Sequence, residues 1–167
     1  PEFLEDGIHN MFRNVGDVTN LANNILQVKP HAAGIDTARL LFNTTFGLLG
    51  FFDVGTHMGL HRNDEDFGQT LGYWGVGSGP YVMLPLLGPS TLRDAPSKYV
   101  DGYTGPYRYI HDVPVRNSIF GLNIVDTRAS LLSSEKLITG DKYTFIRNAY
   151  LQNREFKVKD GQVEDDF

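Results

Sequence analysis

The chain has 167 residues, 41% hydrophobic and 21% charged, a balance that supports one folded domain over residues 1–167 and excludes a disordered chain. Its net charge of −5 argues against nucleic-acid binding, which needs basic patches. The absence of cysteine excludes disulfides, thiol nucleophiles and cysteine zinc sites.

From the N-terminus, Phe3, Leu4, Ile8, Met11 and Phe12 recur at three- and four-residue intervals, which predicts a helix over residues 2–14. Asp17 or Thr19 reads as the cap of a second helix carrying Leu21, Ala22, Ile25, Leu26 and Val28. Pro30 suits the first position of a third, where its missing amide costs nothing. That helix has a stripe of Ala33, Ala38, Leu41, Phe42 and Thr45, and Gly47 and Gly50 end it. A short turn is expected from Asp53 to Met58. The apolar stretch Leu40 to Phe52 is 13 residues long. It is too short to cross a bilayer, and suits a core, re-entrant or interfacial segment. Pro1 to Asp6 has neither the basic region nor the apolar core of a signal peptide. Because the chain opens inside a helical pattern, it is expected to be a shortened form.

The segment Phe67 to Asp94 has a different character. Its 28 residues hold six of the 18 glycines, three of the eight prolines and the only tryptophan, Trp74. Loops this rich in turn residues are ordinarily polar, yet Val82, Met83, Leu84, Leu86 and Leu87 sit among the prolines. Irregular backbone with apolar side chains must satisfy its amides inside a protein or along a cavity. Beyond it, Ser90 or Asp94 is expected to cap a helix, with Pro96 near its start. Residues 101–116 read as an aromatic loop in which Tyr103, Tyr107 and Tyr109 follow Tyr99. Ser118 to Leu132 reads as helix, Gly140 as a stop and Asp141 as the cap of a last helix running to about Phe156. The polar tail 157–167 is expected to fray. No segment alternates as a half-buried strand would, so strands are not expected and the fold class is all-α.

Three catalytic or ligand-binding patterns are weaker than their structural readings. His57 and His61 are four apart, but Gly59 interrupts and there is no HExxH order, so a solvated turn is expected and no metal. Gly72, Gly75, Gly77 and Gly79 precede Pro80 and an apolar run, not the helix of a phosphate loop, so no nucleotide cofactor is expected. Ser90 with His111 and Asp112 lacks the strained Gly-x-Ser-x-Gly turn of a hydrolase. The Arg93–Asp94 couple reads as a structural ion pair or as a contact to a lipid head group. The aromatic content of 12% fits an interface with one wet side or the rim of a soluble core.

Asp64-Glu65-Asp66-Phe67-Gly68-Gln69-Thr70-Leu71-Gly72, Trp74-Gly75-Val76-Gly77, Gly79-Pro80-Tyr81, Leu84-Pro85, Leu87-Gly88-Pro89-Ser90 and Arg93-Asp94 resemble the signature of the MlaA/VacJ outer-membrane lipoproteins. Phe42-Asn43-Thr44-Thr45, Phe51-Phe52-Asp53-Val54, Asp126-Thr127-Arg128-Ala129 and Ala149-Tyr150-Leu151-Gln152 extend the likeness over residues 4–160. The resemblance implies a ring of helices in the inner leaflet of the outer membrane around an amphipathic channel. It implies no enzyme, but passage of misplaced phospholipid to the periplasmic carrier MlaC beside a trimeric porin, which maintains outer-membrane lipid asymmetry. Full-length members carry a signal peptide, a lipidated cysteine and a first helix, so anchoring from the periplasmic side is implied for the full-length protein.

On that likeness, Trp74, Val76, Tyr81, Val82, Leu84, Leu86 and Leu87 are expected to line the lipid path and a mobile hairpin. Gly75, Gly77, Gly79 and Gly88 are expected to be its hinges. Leu41, Phe42, Phe46, Leu48, Leu49, Phe51 and Phe52 are expected to face the membrane. The alternative is a soluble periplasmic lipid-binding module.

Overall fold

A computed structural model describes residues 2–85, 87–105, 109–135 and 140–162. Leu86 and Tyr107 lie outside the described residues, as does the end of the tail from residue 163. The order is α1 (Glu2–Leu26), α2 (Pro30–Thr45), α3 (Val54–His57), α4 (Phe67–Tyr73), β1 (Tyr81–Leu84), β2 (Gly88–Thr91), α5 (Asp94–Thr104), α6 (Val113–Glu135) and α7 (Lys142–Val158). The helical class is as expected.

α1 is one helix of 25 residues, not two. Asp17 does not cap a second helix because its carboxylate points sideways, accepting from Arg39 Nε at 3.3 Å and Arg62 Nε at 2.6 Å. Asn14, Asp17, Asn20, Asn23, Asn24 and Gln27 are all buried, and their spacing makes one continuous face. Asparagine is a poor helix former; it is placed here by its tertiary partners. Ile8, Met11, Ile25 and Leu26 are exposed, so the usual amphipathic sense of a surface helix is inverted.

α2 packs on α1 and repeats the inversion. Pro30 does stand in its first turn, but the buried face is Asp36, Arg39 and Asn43, while Leu41 is exposed. Of the stripe read from the sequence, Leu41 and Thr45 are exposed and Ala33, Ala38 and Phe42 half-buried, so it does not form the buried face. Asp53 caps α3, accepting from Thr56 N at 3.1 Å.

The expectation of no strands is corrected. β1 and β2 pair antiparallel, with Tyr81 opposite Thr91, Val82 opposite Ser90, Met83 opposite Pro89 and Leu84 opposite Gly88. Leu92 N→Pro80 O at 3.0 Å and Arg93 N→Ser78 O at 3.1 Å prolong the ladder. A two-stranded sheet has only edges, so Pro89 is tolerated in it. Ser90 consequently sits in a strand and caps no helix; the Thr91 hydroxyl accepts from Asp94 N at 3.2 Å instead. α5 extends to Thr104, so residues 101–104, expected as loop, are helical. α6 begins at Val113, five residues before the expected start, where Asp112 Oδ1 accepts from Val115 N at 2.9 Å. Asp141 caps α7 as expected, accepting from Tyr143 N at 3.0 Å. α4 packs on α5, and α7 on α4 and β2.

Among the described residues no aliphatic or aromatic side chain is fully buried, whereas Asp17, Asn24, Asp36, Thr70, Ser90 and Thr91 have no exposed surface at all. The interior is a set of polar contacts and the exterior carries the apolar side chains.

Candidate functional site

Three polar networks fill this interior. The first is centred on Arg39, which is 1% exposed. Its Nε donates to Asp17, its Nη1 to Thr56 Oγ1 at 3.0 Å and Leu60 O at 2.6 Å, and its Nη2 to both Asp53 oxygens at 2.9 and 3.1 Å. A guanidinium has five N–H donors, so every one has an acceptor. Burial opposes ionisation of Asp53, but its bonds from Thr56 and Arg39 outweigh it and bring the carboxyl down to about 2.

The second joins α1, α2 and the segment before α4. Asp36 accepts from Asn24 Nδ2 at 2.7 Å and Asn63 Nδ2 at 2.9 Å. Burial, the largest influence, leaves its carboxyl raised. Gln27 Nε2 donates to Glu65 Oε2 at 2.8 Å and to Thr70 Oγ1 at 3.1 Å.

The third ties α7 to α4 and α5. Arg154 donates through Nη1 and Nη2 to Asp66, and through Nε to Asp94 Oδ2 at 2.8 Å. Arg93 Nε and the Tyr150 hydroxyl also donate to Asp94, at 2.8 and 3.0 Å. Asp66 doubles as the cap of α4, accepting from Gln69 N at 2.9 Å. Burial opposes the charge on Asp94, yet Arg93 and Arg154 hold its carboxyl at about 2. Burial and then the Asp94 charge push the Tyr150 phenol up to about 12. Asp101 accepts from Phe67 N at 2.9 Å and Asn23 Nδ2 at 3.1 Å. Burial, followed by the nearby Asp66 charge, raises its carboxyl to about 6.

The expected ion pair therefore forms: Arg93 and Asp94 are both buried and joined to Arg154. The residues expected along a lipid path are less uniform. Tyr81 is half-buried, edge-on to Tyr143 and Tyr150 at 5.9 and 6.1 Å. Val82 and Leu84 are half-buried on β1, and Leu87 is exposed. Trp74 caps the end of α4, with its indole N–H donating to Leu26 O at 3.3 Å. Val76 is exposed, and its carbonyl accepts from Arg93 Nη1 at 3.2 Å.

Gly75, Gly79 and Gly88 adopt φ of 91°, 67° and 74°, a left-handed backbone that disfavours other residues; Gly77 does not. Leu41, Phe46, Leu48, Leu49 and Phe52 are exposed, Phe42 and Phe51 half-buried. His57 donates through Nδ1 to Asp53 O at 2.8 Å. Ser90 is enclosed while His111 and Asp112 are exposed, so those three do not assemble.

Sequence reasoning missed Asp17, Arg39 and Arg154. One signal was available. Asn14, Asp17, Asn20, Asn24 and Gln27 recur at intervals of three and four within an otherwise helical pattern, which is a polar stripe at the period of a buried face.

A protein-family model described as MlaA lipoprotein matches residues 1–157. The chain belongs to the MlaA lipoprotein family. The match takes in every element from α1 to all but the last residue of α7. The intermembrane phospholipid transport system lipoprotein MlaA of Escherichia coli K12 is 33% identical over 98% of this chain and 67% of its own length. That of Haemophilus influenzae is 32% identical over the same shares. A solved structure reported as the structural basis for maintenance of bacterial outer membrane lipid asymmetry superposes with a TM-score of 0.80. It is 32% identical, covering 95% of this chain and 81% of that one.

Proposed function

We propose that this chain transports phospholipid between membranes, taking misplaced phospholipid from the outer leaflet of an outer membrane and passing it to a soluble periplasmic carrier. Its family is one of transport lipoproteins, and its Escherichia coli and Haemophilus influenzae relatives are named for intermembrane phospholipid transport. The observation that carries the reading is the inverted burial: polar side chains inside and Phe46, Leu48 and Leu49 outside. Water penalises that arrangement, whereas a lipid leaflet favours it.

In this reading the helices lie in the inner leaflet around an amphipathic channel, beside a porin, and the chain performs no covalent chemistry. Trp74, Val76, Tyr81, Val82, Leu84 and Leu87 line the path. The hairpin moves on Gly75, Gly77, Gly79 and Gly88. A head group crossing an apolar layer needs such a mixed path, because an unpaired charge in hydrocarbon is costly. The exposed apolar surface counts against a soluble shuttle, which would enclose it.

Organic extraction and mass spectrometry of the protein purified in detergent test this reading. Phospholipid is expected with the unmodified chain and is expected to fall severalfold in Leu84→Asp and Leu87→Asp. Equal phospholipid in all three proteins would remove the hairpin from the path.

A further inference from the structure

The two ends of the hairpin are held by different means. At its open end Leu92 N donates to Pro80 O and Arg93 N to Ser78 O. Arg93 Nη1 adds a bond to Val76 O at 3.2 Å, and Arg93 is itself fixed by Asp94. That end is therefore tied into the buried network of Arg93, Asp94 and Arg154. At the closed end, the described side-chain hydrogen bonds to residues 84–89 all come from one residue of α5. Lys98 Nζ donates to Leu87 O at 3.1 Å and to Pro89 O at 3.4 Å, one on each side of Gly88.

The carboxylates around Lys98 are engaged elsewhere. Asp94 accepts from Arg93, Arg154 and Tyr150, and Asp66 from Arg154. Asp101, three residues further along α5, accepts from Phe67 N and Asn23 Nδ2. Lys98 is half-buried, and burial, reinforced by Arg154, lowers the pKa of its ammonium, since partial desolvation disfavours the charged form. The carbonyls of Leu87 and Pro89 compensate that charge in part. A bond from a cation to a neutral carbonyl is stronger than one between two neutral groups, but it lacks the second charge of an ion pair. Such a tie seats the closed end and still opens more readily than the network at the other end.

We propose that Lys98 is a positioning residue for lipid passage: it latches the closed end of the hairpin to α5, and release of this latch lets the hairpin move. The proposal rests on the reading of the hairpin as the moving wall of the lipid path, and adds which contact restrains it. Motion then starts at the closed end, while the end at Arg93 stays fixed.

Two measurements on the full chain in maltoside micelles test this. Hydrogen exchange, read by mass spectrometry, follows the amides of residues 81–91 against those of α1. The release of a prebound fluorescent phosphatidylglycerol into vesicles follows lipid passage. In Lys98→Met the hairpin amides are expected to exchange about three- to tenfold faster, the range of a hydrogen bond to a charged group with allowance for its partial exposure, while α1 is unchanged. Lipid release is expected to change at least about threefold. Lys98→Arg, which keeps a cationic donor, is expected to restore both. Should Lys98→Met lose its helical circular dichroism, Lys98→Gln decides, with hairpin exchange expected to rise severalfold.

Unchanged hairpin exchange in a folded variant overturns the latch, as does an equal acceleration in α1, which would mean a general loss of stability. Faster hairpin exchange with unchanged lipid release overturns the role of Lys98 in lipid passage. An unmodified chain that carries no phosphatidylglycerol overturns the phospholipid reading, and with it that role, while the exchange measurement still decides the latch.

Discussion

Asp101 shows how single residues set the pH response of this interior. Its carboxyl is raised to about 6 in the folded chain from 3.8. Between those values the folded state keeps a proton that the unfolded state has released. Asp101 therefore favours folding at low pH, and that contribution is lost as pH rises from about 4 through 6. Asp53 and Asp94 act oppositely. Their carboxyls lie at about 2, so their contribution is present above 3.8 and is lost as pH falls toward 2, a lower window. Asp101→Asn keeps an oxygen to accept from Phe67 N but no longer titrates. Thermal unfolding in detergent at pH 4.5 and 7 is expected to show the unmodified chain losing stability on neutralisation. The loss in the variant should be smaller by about 1–2 kcal/mol, somewhat less than the full value of a two-unit shift. Equal losses in both proteins would mean that Asp101 does not hold the proton.

At the scale of elements, what was legible in the sequence was what local chemistry decides. Pro30 opens α2 and Asp141 caps α7, because a missing amide and a capping carboxylate act on their own helix alone. The continuity of α1 was not legible. The polar residues that ordinarily mark a helix start are here a buried stripe, and their partners are remote in sequence: Asp17 meets Arg62, and Asn23 meets Asp101. The hairpin was expected, but not that its arms are strands, because Tyr81 to Leu84 carries apolar or aromatic residues on both faces and so has no alternation to read. The candidate site was likewise legible as a segment, but not as the network that joins Arg93 and Asp94 to Arg154 and Asp66.

The two glycines around α2 test this division between local and tertiary control. A Cβ on Gly34 would meet nothing within 4 Å, whereas on Gly47 it would stand 2.2 Å from Phe52 O and 2.5 Å from Asn43 O. Gly34→Ala is expected to stabilise by about 0.5–1 kcal/mol through helix propensity. Gly47→Ala is expected to cost upwards of about 2 kcal/mol, since backbone atoms cannot move aside as a side-chain tip can. Chemical unfolding in micelles measures both. A Gly47→Ala protein as stable as the parent would show that the turn after α2 is not fixed by that close approach.

For the whole molecule, the inversion of polar and apolar surfaces sets the solvent it needs. Among the described residues no helix is long and apolar enough to cross a membrane. Phe46 and Leu48 are 70% and 66% exposed. If that surface faced water, changing both to aspartate would barely affect stability and would improve solubility. If it faces lipid, each aspartate costs up to about 3 kcal/mol at full depth and less toward the head groups. The double variant should then lose at least about tenfold in partitioning to vesicles while its helical circular dichroism in micelles is kept. Flotation with phosphatidylethanolamine–phosphatidylglycerol vesicles distinguishes the two. The parent is expected at the top of the gradient and the variant at the bottom. A parent that stays in water as a monomer without detergent would mean that its apolar exterior is covered by something other than lipid.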